Sequence, residues 1–176
     1  MREKQENRDN YFAHGRYDHF GRWASYFYQA KNVMKTNPEN ILEVGVGNGV
    51  TTNYLKSQGY KVTVADIAED LKPDVVADIV ALPFSNREFD TVMACEILEH
   101  IPFEDSMKAL KELYRVSKNY VVVSLPDHRK VLFSVSVKLP FCRERYLSVR
   151  LPILGDSPRT KLIFGRLAGR TILSLK

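Results

Sequence analysis

The sequence has little cysteine, no long apolar run and no spaced metal-ligand motif. Two cysteines among 176 residues, Cys95 and Cys142, are too few for a disulfide framework, which favours a reducing compartment and predicts a cytoplasmic protein. No stretch approaches the roughly 20 apolar residues of a membrane-spanning helix, and the polar N-terminus lacks the apolar core of a signal peptide. His14, His19 and His128 have no metal-ligand spacing, so we predict no metal site.

The composition is that of one folded domain with an uneven charge. Hydrophobic residues make up 44% of the chain and charged residues 27%, which excludes wholesale disorder and low-complexity filaments. Residues 128–176 contain eleven Lys and Arg against two acidic residues, a net charge of +9, whereas residues 1–127 carry −4. This basic segment either meets an anionic partner, such as a phosphate-bearing substrate, a membrane surface or nucleic acid, or is a solvated basic face.

Apolar periodicity predicts a leading helix. Residues 16–35 carry apolar side chains at three- and four-residue steps, as one face of an amphipathic helix does. The stripe consists of Phe20, Trp23, Phe27, Ala30 and Met34. We expect Trp23 and Phe27 to anchor this helix to a sheet, although aromatic rings in this segment can instead shape a ligand pocket.

Downstream, short apolar runs alternate with helical segments. Strands are predicted at 41–45, 61–66, 75–79, 90–95 and 119–125, and helical segments at 51–58, 96–101 and 105–116. Continuously apolar strands joined through helices indicate a mostly parallel sheet covered on both faces, which is a doubly wound α/β fold. Ligands of such folds bind at the carboxyl ends of the strands, where the strand order reverses.

A glycine-rich loop follows the first predicted strand. Gly45, Gly47 and Gly49 alternate just before a helix, where the lack of a Cβ lets a nucleotide-like ligand lie against the backbone. The dinucleotide fingerprint would place its third glycine at position 50, which is Val50, so NAD is disfavoured. Glu43, just before the loop, suits a ligand with an ammonium or sulfonium charge. A tight turn without any ligand is the alternative.

Four segments, in this order, resemble the class I S-adenosylmethionine-dependent methyltransferases, particularly the small-molecule methyltransferases of type 11. They are ILEVGVGNG at 41–49, VTVAD at 62–66, ADIVALPFSNREFDTVMACEILEHI at 77–101 and VVVSLP at 121–126. The resemblance implies a Rossmann-like methyltransferase fold with S-adenosylmethionine as cofactor. It also implies in-line displacement of the methyl group to a small-molecule or lipid-linked acceptor.

The resemblance assigns cofactor-binding roles to nine residues. They are Glu43, Gly45, Gly47, Gly49, Asp66, Ile67, Asp78, Ile79 and Cys95. The glycine loop and Glu43 line the methionine portion, Cys95 flanks it, and Asp66 binds the ribose hydroxyls. Asp78 and Ile79 recognise adenine.

The other adenine face is assigned to Ile67. Each of these assignments has a structural alternative: Asp66 can cap the following turn, Asp78 can belong to a turn, and Ile67 and Ile79 can be core residues.

The catalytic candidates follow the fourth strand. Methyl transfer from a sulfonium needs alignment and exclusion of water, and only an acceptor that begins protonated needs a base. His100 is the first candidate for this base and Glu96 the next, followed by Glu99. Each can instead have a capping or helix-surface role.

The same resemblance makes residues 1–127 a cofactor-binding core in which residues 1–37 form a helical lid. After Pro126 the family pattern fades, and residues 162–175 could form a hairpin. The basic extension 128–176 completes or flanks this domain, contacts an anionic surface, or marks a truncated form. The alternative function is a non-catalytic, methyltransferase-like scaffold that binds a partner through this extension. Nucleic-acid modification is disfavoured because the extension has few aromatic residues and no recognition motif.

Overall fold

The computed structural model describes residues 20–125, 131–137, 145–150, 166–167 and 170–175. The helices among them are α1 (Phe20–Met34), α2 (Val50–Ser57) and α3 (Phe103–Val116). The strands are β1 (Asn40–Val44), β2 (Lys61–Asp66), β3 (Val75–Val76), β4 (Phe89–Cys95), β5 (Ser117–Ser124), β6 (Val131–Val137), β7 (Arg145–Arg150), β8 (Arg166–Leu167) and β9 (Arg170–Leu175). Short 3₁₀ turns span Glu69–Leu71 and Leu98–His100.

The main sheet has the strand order β3-β2-β1-β4-β5-β9-β8. Strands β1 to β5 run parallel to one another, and β9 runs parallel to β5. Strand β8 is antiparallel to β9, as in the hairpin predicted for residues 162–175. The strand order reverses between β1 and β4, and this reversal confirms the predicted doubly wound α/β fold.

The chain divides into two compact units. The first combines residues 1–125 with 163–176 and contains the main sheet. The second, residues 126–162, contains the antiparallel pair β6 and β7. The predicted lid before Phe20 and the side chains of the basic extension lie outside the described residues. Within the described part of the chain, no helix is long and apolar enough to cross a membrane.

Two apolar clusters cover the two faces of the main sheet. Leu42 and Val44 belong to the cluster that includes Leu113 of α3. Ile41, which points to the opposite face, belongs to the cluster with Ala30 of α1 and Leu55 of α2. Alternate residues of one strand are therefore buried under different helices, as the continuous apolar runs predicted.

The third strand is shorter than predicted. Residues 75–79 were expected to form it, but pairing with β2 stops at Val76. The chain then turns at Asp78, whose side chain accepts the Val80 N–H at 3.2 Å and whose carbonyl accepts the Ala81 N–H at 2.9 Å. The aspartate's local hydrogen bonds compete with the ladder and end the strand.

The packing face of α1 differs from the predicted one. Trp23 and Phe27, expected to anchor the helix, are 53% and 59% exposed, whereas Gln29, Ala30 and Val33 are buried. The prediction was wrong because α1 carries a second stripe of smaller side chains, which lets its backbone lie closer to the sheet than large rings would. The exposed rings contact other side chains of the helix instead, with Trp23 edge-on to Tyr26 and Lys31 over Phe27.

Candidate cofactor site

The glycine loop has a backbone that requires glycine. Gly45, Gly47 and Gly49 all have positive φ, at +82°, +52° and +74°. A Cβ at Gly45 would also overlap the side chain of Ile97, which lies directly against the loop. The Gly45 N–H donates to the Ala65 carbonyl at 2.8 Å, so the loop begins as a continuation of the sheet. Substitution at Gly45 is therefore opposed by both backbone conformation and space.

Asp66 ends β2 and ties the loop to the sheet. Its Oδ2 accepts the Val46 N–H at 2.8 Å, and its Oδ1 accepts the Ala68 N–H at 2.8 Å. The capping role weighed for Asp66 is therefore present. Each carboxylate oxygen has two lone pairs, so these bonds leave acceptor capacity for a ligand hydroxyl.

Five of the nine predicted cofactor residues line one pocket at the carboxyl ends of the strands. They are Gly45, Asp66, Ile67, Asp78 and Ile79. The space within the pocket is about 430 Å³, a figure that includes open solvent at its mouth. Two carboxylates and apolar walls suit a ligand that combines hydrogen-bond donors with a flat apolar ring. Among the described residues that line this pocket none is basic, which is unfavourable for a pyrophosphate.

The remaining pocket walls were not predicted as site residues. Val44 ends β1, Ala77 directly follows β3, and Ile97 and Ile101 follow β4. The sequence did contain a pattern that could have identified the two isoleucines. They stand four residues apart in CEILEHI, residues 95–101, which belongs to a segment that resembles the methyltransferases. Ile97 closes the side of the pocket next to Gly45.

Glu43 is not among the residues lining this pocket. Its side chain lies on the α2 side of the sheet, where the Thr52 hydroxyl donates to its Oε2. Burial raises the pKa of Glu43 to about 7, against the lowering effects of the Thr52 hydrogen bond and of Lys56, while Asp66 adds to the increase. Glu43 is thus poised to gain or lose a proton near neutral pH.

Cys95, Gly47 and Gly49 likewise do not line the pocket. Cys95 stands opposite Ser124 in the sheet, and burial raises the pKa of its thiol to about 12. Its thiol is therefore protonated at neutral pH and is a poor nucleophile.

The catalytic candidates lie on the chain after β4. Glu96, with φ +56°, accepts a hydrogen bond from the Ser124 hydroxyl at 2.8 Å. The His100 side chain is 56% exposed, and its Nε2 lies 3.9 Å from Oε1 of Glu99. Burial raises the pKa of Glu99 to about 7, and the neighbouring Glu96 adds to this while Arg22 opposes it. Neither His100 nor Glu96 lines the described pocket.

Comparison with known proteins supports the predicted family. Residues 42–123 match the profile described as a methyltransferase domain. An uncharacterized protein of Methanocaldococcus jannaschii is 31% identical over 86 residues, which are 45% of this chain and 36% of that protein. The chain thus spans about a third of the length of this curated relative.

Two solved structures are similar to parts of the chain. An S-adenosylmethionine-dependent methyltransferase from Archaeoglobus fulgidus is 22% identical, covering 56% of this chain and 49% of that chain with a TM-score of 0.48. The Burkholderia thailandensis 1,6-didemethyltoxoflavin-N1-methyltransferase is 20% identical, covering 74% and 60% with a TM-score of 0.49.

The profile match covers the glycine loop, the carboxyl ends of β1 to β4 and most of β5. It agrees with the predicted cofactor, since S-adenosylmethionine is the cofactor of the class I methyltransferases that the chain resembles. Residues 42–123 therefore match a methyltransferase domain, and the sheet around them has the strand order of a doubly wound α/β fold.

Proposed function

We propose that the chain binds S-adenosylmethionine in the described pocket and transfers its methyl group to a small-molecule or lipid-linked acceptor. The observation that carries the proposal is the meeting of Asp66, Asp78, Ile67 and Ile79 around one pocket beside Gly45. Two acceptor carboxylates and two aliphatic side chains match a ligand that presents a ribose diol, an exocyclic amine and a flat base.

Each residue of the pocket would bind a different part of the cofactor. Asp66, buried and fixed by two backbone N–H groups, would accept hydrogen bonds from ribose hydroxyls with its remaining lone pairs. The Asp78 carboxylate would accept from the adenine amine while Ile79 and Ile67 pack on the ring faces. Ile67 is 49% exposed, so a ring lying on it would bury apolar surface.

Electrostatics favour the same cofactor. S-adenosylmethionine supplies a methyl group on a positively charged sulfur, from which an acceptor can take it by in-line displacement. Carboxylates close to the glycine loop, Glu43 and Asp66, stabilise a cationic ligand and repel a pyrophosphate. Burial holds part of the Glu43 population protonated near neutral pH, and a cationic ligand nearby would favour its ionised form.

Calorimetric titration with S-adenosylhomocysteine tests the cofactor assignment, with NADH as the competing ligand. We expect binding of S-adenosylhomocysteine alone, and weakening by roughly 10- to 100-fold in Asp78→Ala, as for loss of a charged hydrogen bond. Asp70→Ala, which removes an exposed carboxylate from a neighbouring turn, is the matched control and should bind as the wild type does. Tighter binding of NADH than of S-adenosylhomocysteine would overturn the proposal.

For acceptors that begin protonated, we propose Glu96 or His100 as the base. Glu96 is held by the Ser124 hydroxyl, while the exposed His100 imidazole can turn toward an acceptor. Methyl-labelled S-adenosylmethionine, incubated with small phenols, small amines or extracted lipids, will reveal which class accepts label. Loss of transfer in His100→Ala or Glu96→Gln, with unchanged cofactor affinity, would identify the base. Cofactor binding with no transfer to any class would favour the non-catalytic alternative.

A further inference from the structure

Gln29 is a buried amide on the packing face of the leading helix. It is only 4% exposed and lies next to Ala30 and one turn before Val33, which are both buried. Burying an amide without partners is costly, so a glutamine at this position must have its hydrogen bonds satisfied within the protein.

The Gln29 amide joins three elements. Its Oε1 accepts a hydrogen bond from the Thr51 hydroxyl of α2 at 3.2 Å, and its Nε2 donates to the Ser124 hydroxyl of β5 at 3.3 Å. The same Nε2 donates to the Ser25 hydroxyl, one turn earlier on α1, at 3.1 Å. Thr51 and Ser124 are themselves buried, at 5% and 2% exposure. Water therefore cannot readily replace Gln29 as their partner.

Both links lead to the proposed active site. Thr51 stands in the first turn of α2, directly after the glycine loop that ends at Gly49. The Ser124 hydroxyl donates to Oε1 of Glu96 at 2.8 Å, and the Ser124 carbonyl accepts the Glu96 N–H at 3.0 Å. Gln29 thus contacts α2 directly through Thr51 and reaches the Glu96 carboxylate through one intervening side chain, that of Ser124.

We propose that Gln29 is a positioning residue for the cofactor and for Glu96. It holds α1 against the carboxyl edge of the sheet, fixes the start of α2 through Thr51, and fixes the Glu96 carboxylate through Ser124. The inference rests on the proposed function, because it assigns the glycine loop to S-adenosylmethionine. It predicts that cofactor binding and the ordering of α1 are coupled, since the Gln29–Thr51 contact connects them.

The test combines calorimetry with hydrogen exchange, using S-adenosylhomocysteine as the ligand. In the wild type, the ligand should slow amide exchange in residues 20–34. Gln29→Leu leaves two buried hydroxyls without their amide partner, so we expect roughly tenfold weaker binding and no ligand-dependent slowing in α1. Ser25→Ala is the matched control: it removes one bond to the same amide but keeps both links to the site, and it should behave as the wild type.

Two further variants separate the links and replace Gln29→Leu should that variant fail to fold. Thr51→Val removes the link to α2 and should weaken ligand binding. Ser124→Ala removes the hydrogen bonds of this hydroxyl with Gln29 and with Glu96. It should reduce the ligand-dependent slowing of amide exchange in α1.

Several results would contradict the inference. Wild-type affinity and wild-type slowing of exchange in a folded Gln29→Leu, or in both Thr51→Val and Ser124→Ala, would overturn the positioning role alone. So would ligand binding by the wild type without any change in α1. Failure of the wild type to bind S-adenosylhomocysteine would overturn the proposed function, and this inference with it.

Discussion

The carboxylate of Asp66 and the backbone N–H of Val46 form a 2.8 Å hydrogen bond that joins the end of β2 to the glycine loop. The bond spans 20 residues of sequence and is shielded from water, since Asp66 is 8% exposed. Asp66 therefore shapes the loop whether or not a ligand is present. A substitution at Asp66 would therefore change two properties together, the stability of the glycine loop and the binding of a ligand.

Asp66→Asn should lower stability in the absence of any ligand. The asparagine oxygen can replace one acceptor, but its NH₂ group would face the second backbone N–H and leave it unpaired. We expect the free energy of unfolding to fall by about 1–3 kcal/mol. Urea unfolding measures this, with Asp70→Asn as a control that makes the same charge change on an exposed side chain and should stay within about 0.5 kcal/mol of the wild type. Equal midpoints for the two variants would contradict the tethering role.

Gly45→Ala should be far more damaging than Gly59→Ala. Both glycines have positive φ, +82° and +89°, so both substitutions incur about 1–2 kcal/mol of backbone strain. A Cβ at Gly59 meets nothing within 4 Å, whereas one at Gly45 overlaps Ile97, which lines the pocket. We expect Gly59→Ala to bind S-adenosylhomocysteine normally and Gly45→Ala to lose binding. Thermal unfolding with and without the ligand compares them, and ligand stabilisation of Gly45→Ala would be evidence against the assigned pocket.

Glu43 should make stability fall as pH rises toward neutrality. Its pKa is raised from 4.5 to about 7 by burial, so between these values the native state holds a proton that the unfolded state has released. The free energy of unfolding therefore decreases as pH rises from about 4.5 to 7, by as much as about 3 kcal/mol from this group. Glu99, whose pKa is also raised to about 7, contributes to the same slope.

Glu43→Gln should flatten this pH dependence. The amide oxygen can still accept the Thr52 hydroxyl, but the side chain no longer titrates. Urea unfolding at pH 5 and pH 8 measures the slope, and Glu39→Gln, the same change at an exposed position, serves as the control. An unchanged slope in Glu43→Gln would mean that Glu43 is already ionised at pH 5 in the folded protein.

Replacement of Arg115 by lysine should lower the stability of the fold. Its guanidinium donates to the carbonyls of Leu82 and Phe84 at 2.8 and 2.7 Å and to both carboxylate oxygens of Glu112. This fork fixes the segment that leads into β4, and an ammonium group cannot reproduce it. We expect Arg115→Lys to cost about 2–3 kcal/mol in urea unfolding. Arg87→Lys, the same change on an exposed side chain, should be neutral; similar losses in both would refute the fork's contribution.

The sequence was most informative where parallel strands end. Asp66 and Asp78 are 12 residues apart in the chain, yet the carboxyl ends of adjacent parallel strands share one edge, so their convergence on one pocket could be anticipated. Gly45 could likewise be identified from the sequence, because a position with positive φ favours glycine. These features depend on local chemistry combined with one rule of topology.

The leading helix was predictable as a helix but not in its orientation. Its sequence contains two overlapping stripes, and the larger rings of Trp23 and Phe27 suggested the wrong one. The correct stripe contains Gln29, a residue that periodicity alone would place on the surface. Its burial is possible because its amide donates a hydrogen bond to Ser124, which is 95 residues away in the sequence. No local sequence pattern predicts a partner at that distance.

The exposure of Trp23 has an optical consequence. It is the chain's single tryptophan and lies on α1, six residues before Gln29. With a half-exposed indole, emission excited at the red edge of its absorption comes from this one site and from no other part of the fold. The molecule therefore carries a built-in fluorescent label on its leading helix, and the wavelength of that emission will follow any change in how much water surrounds the ring.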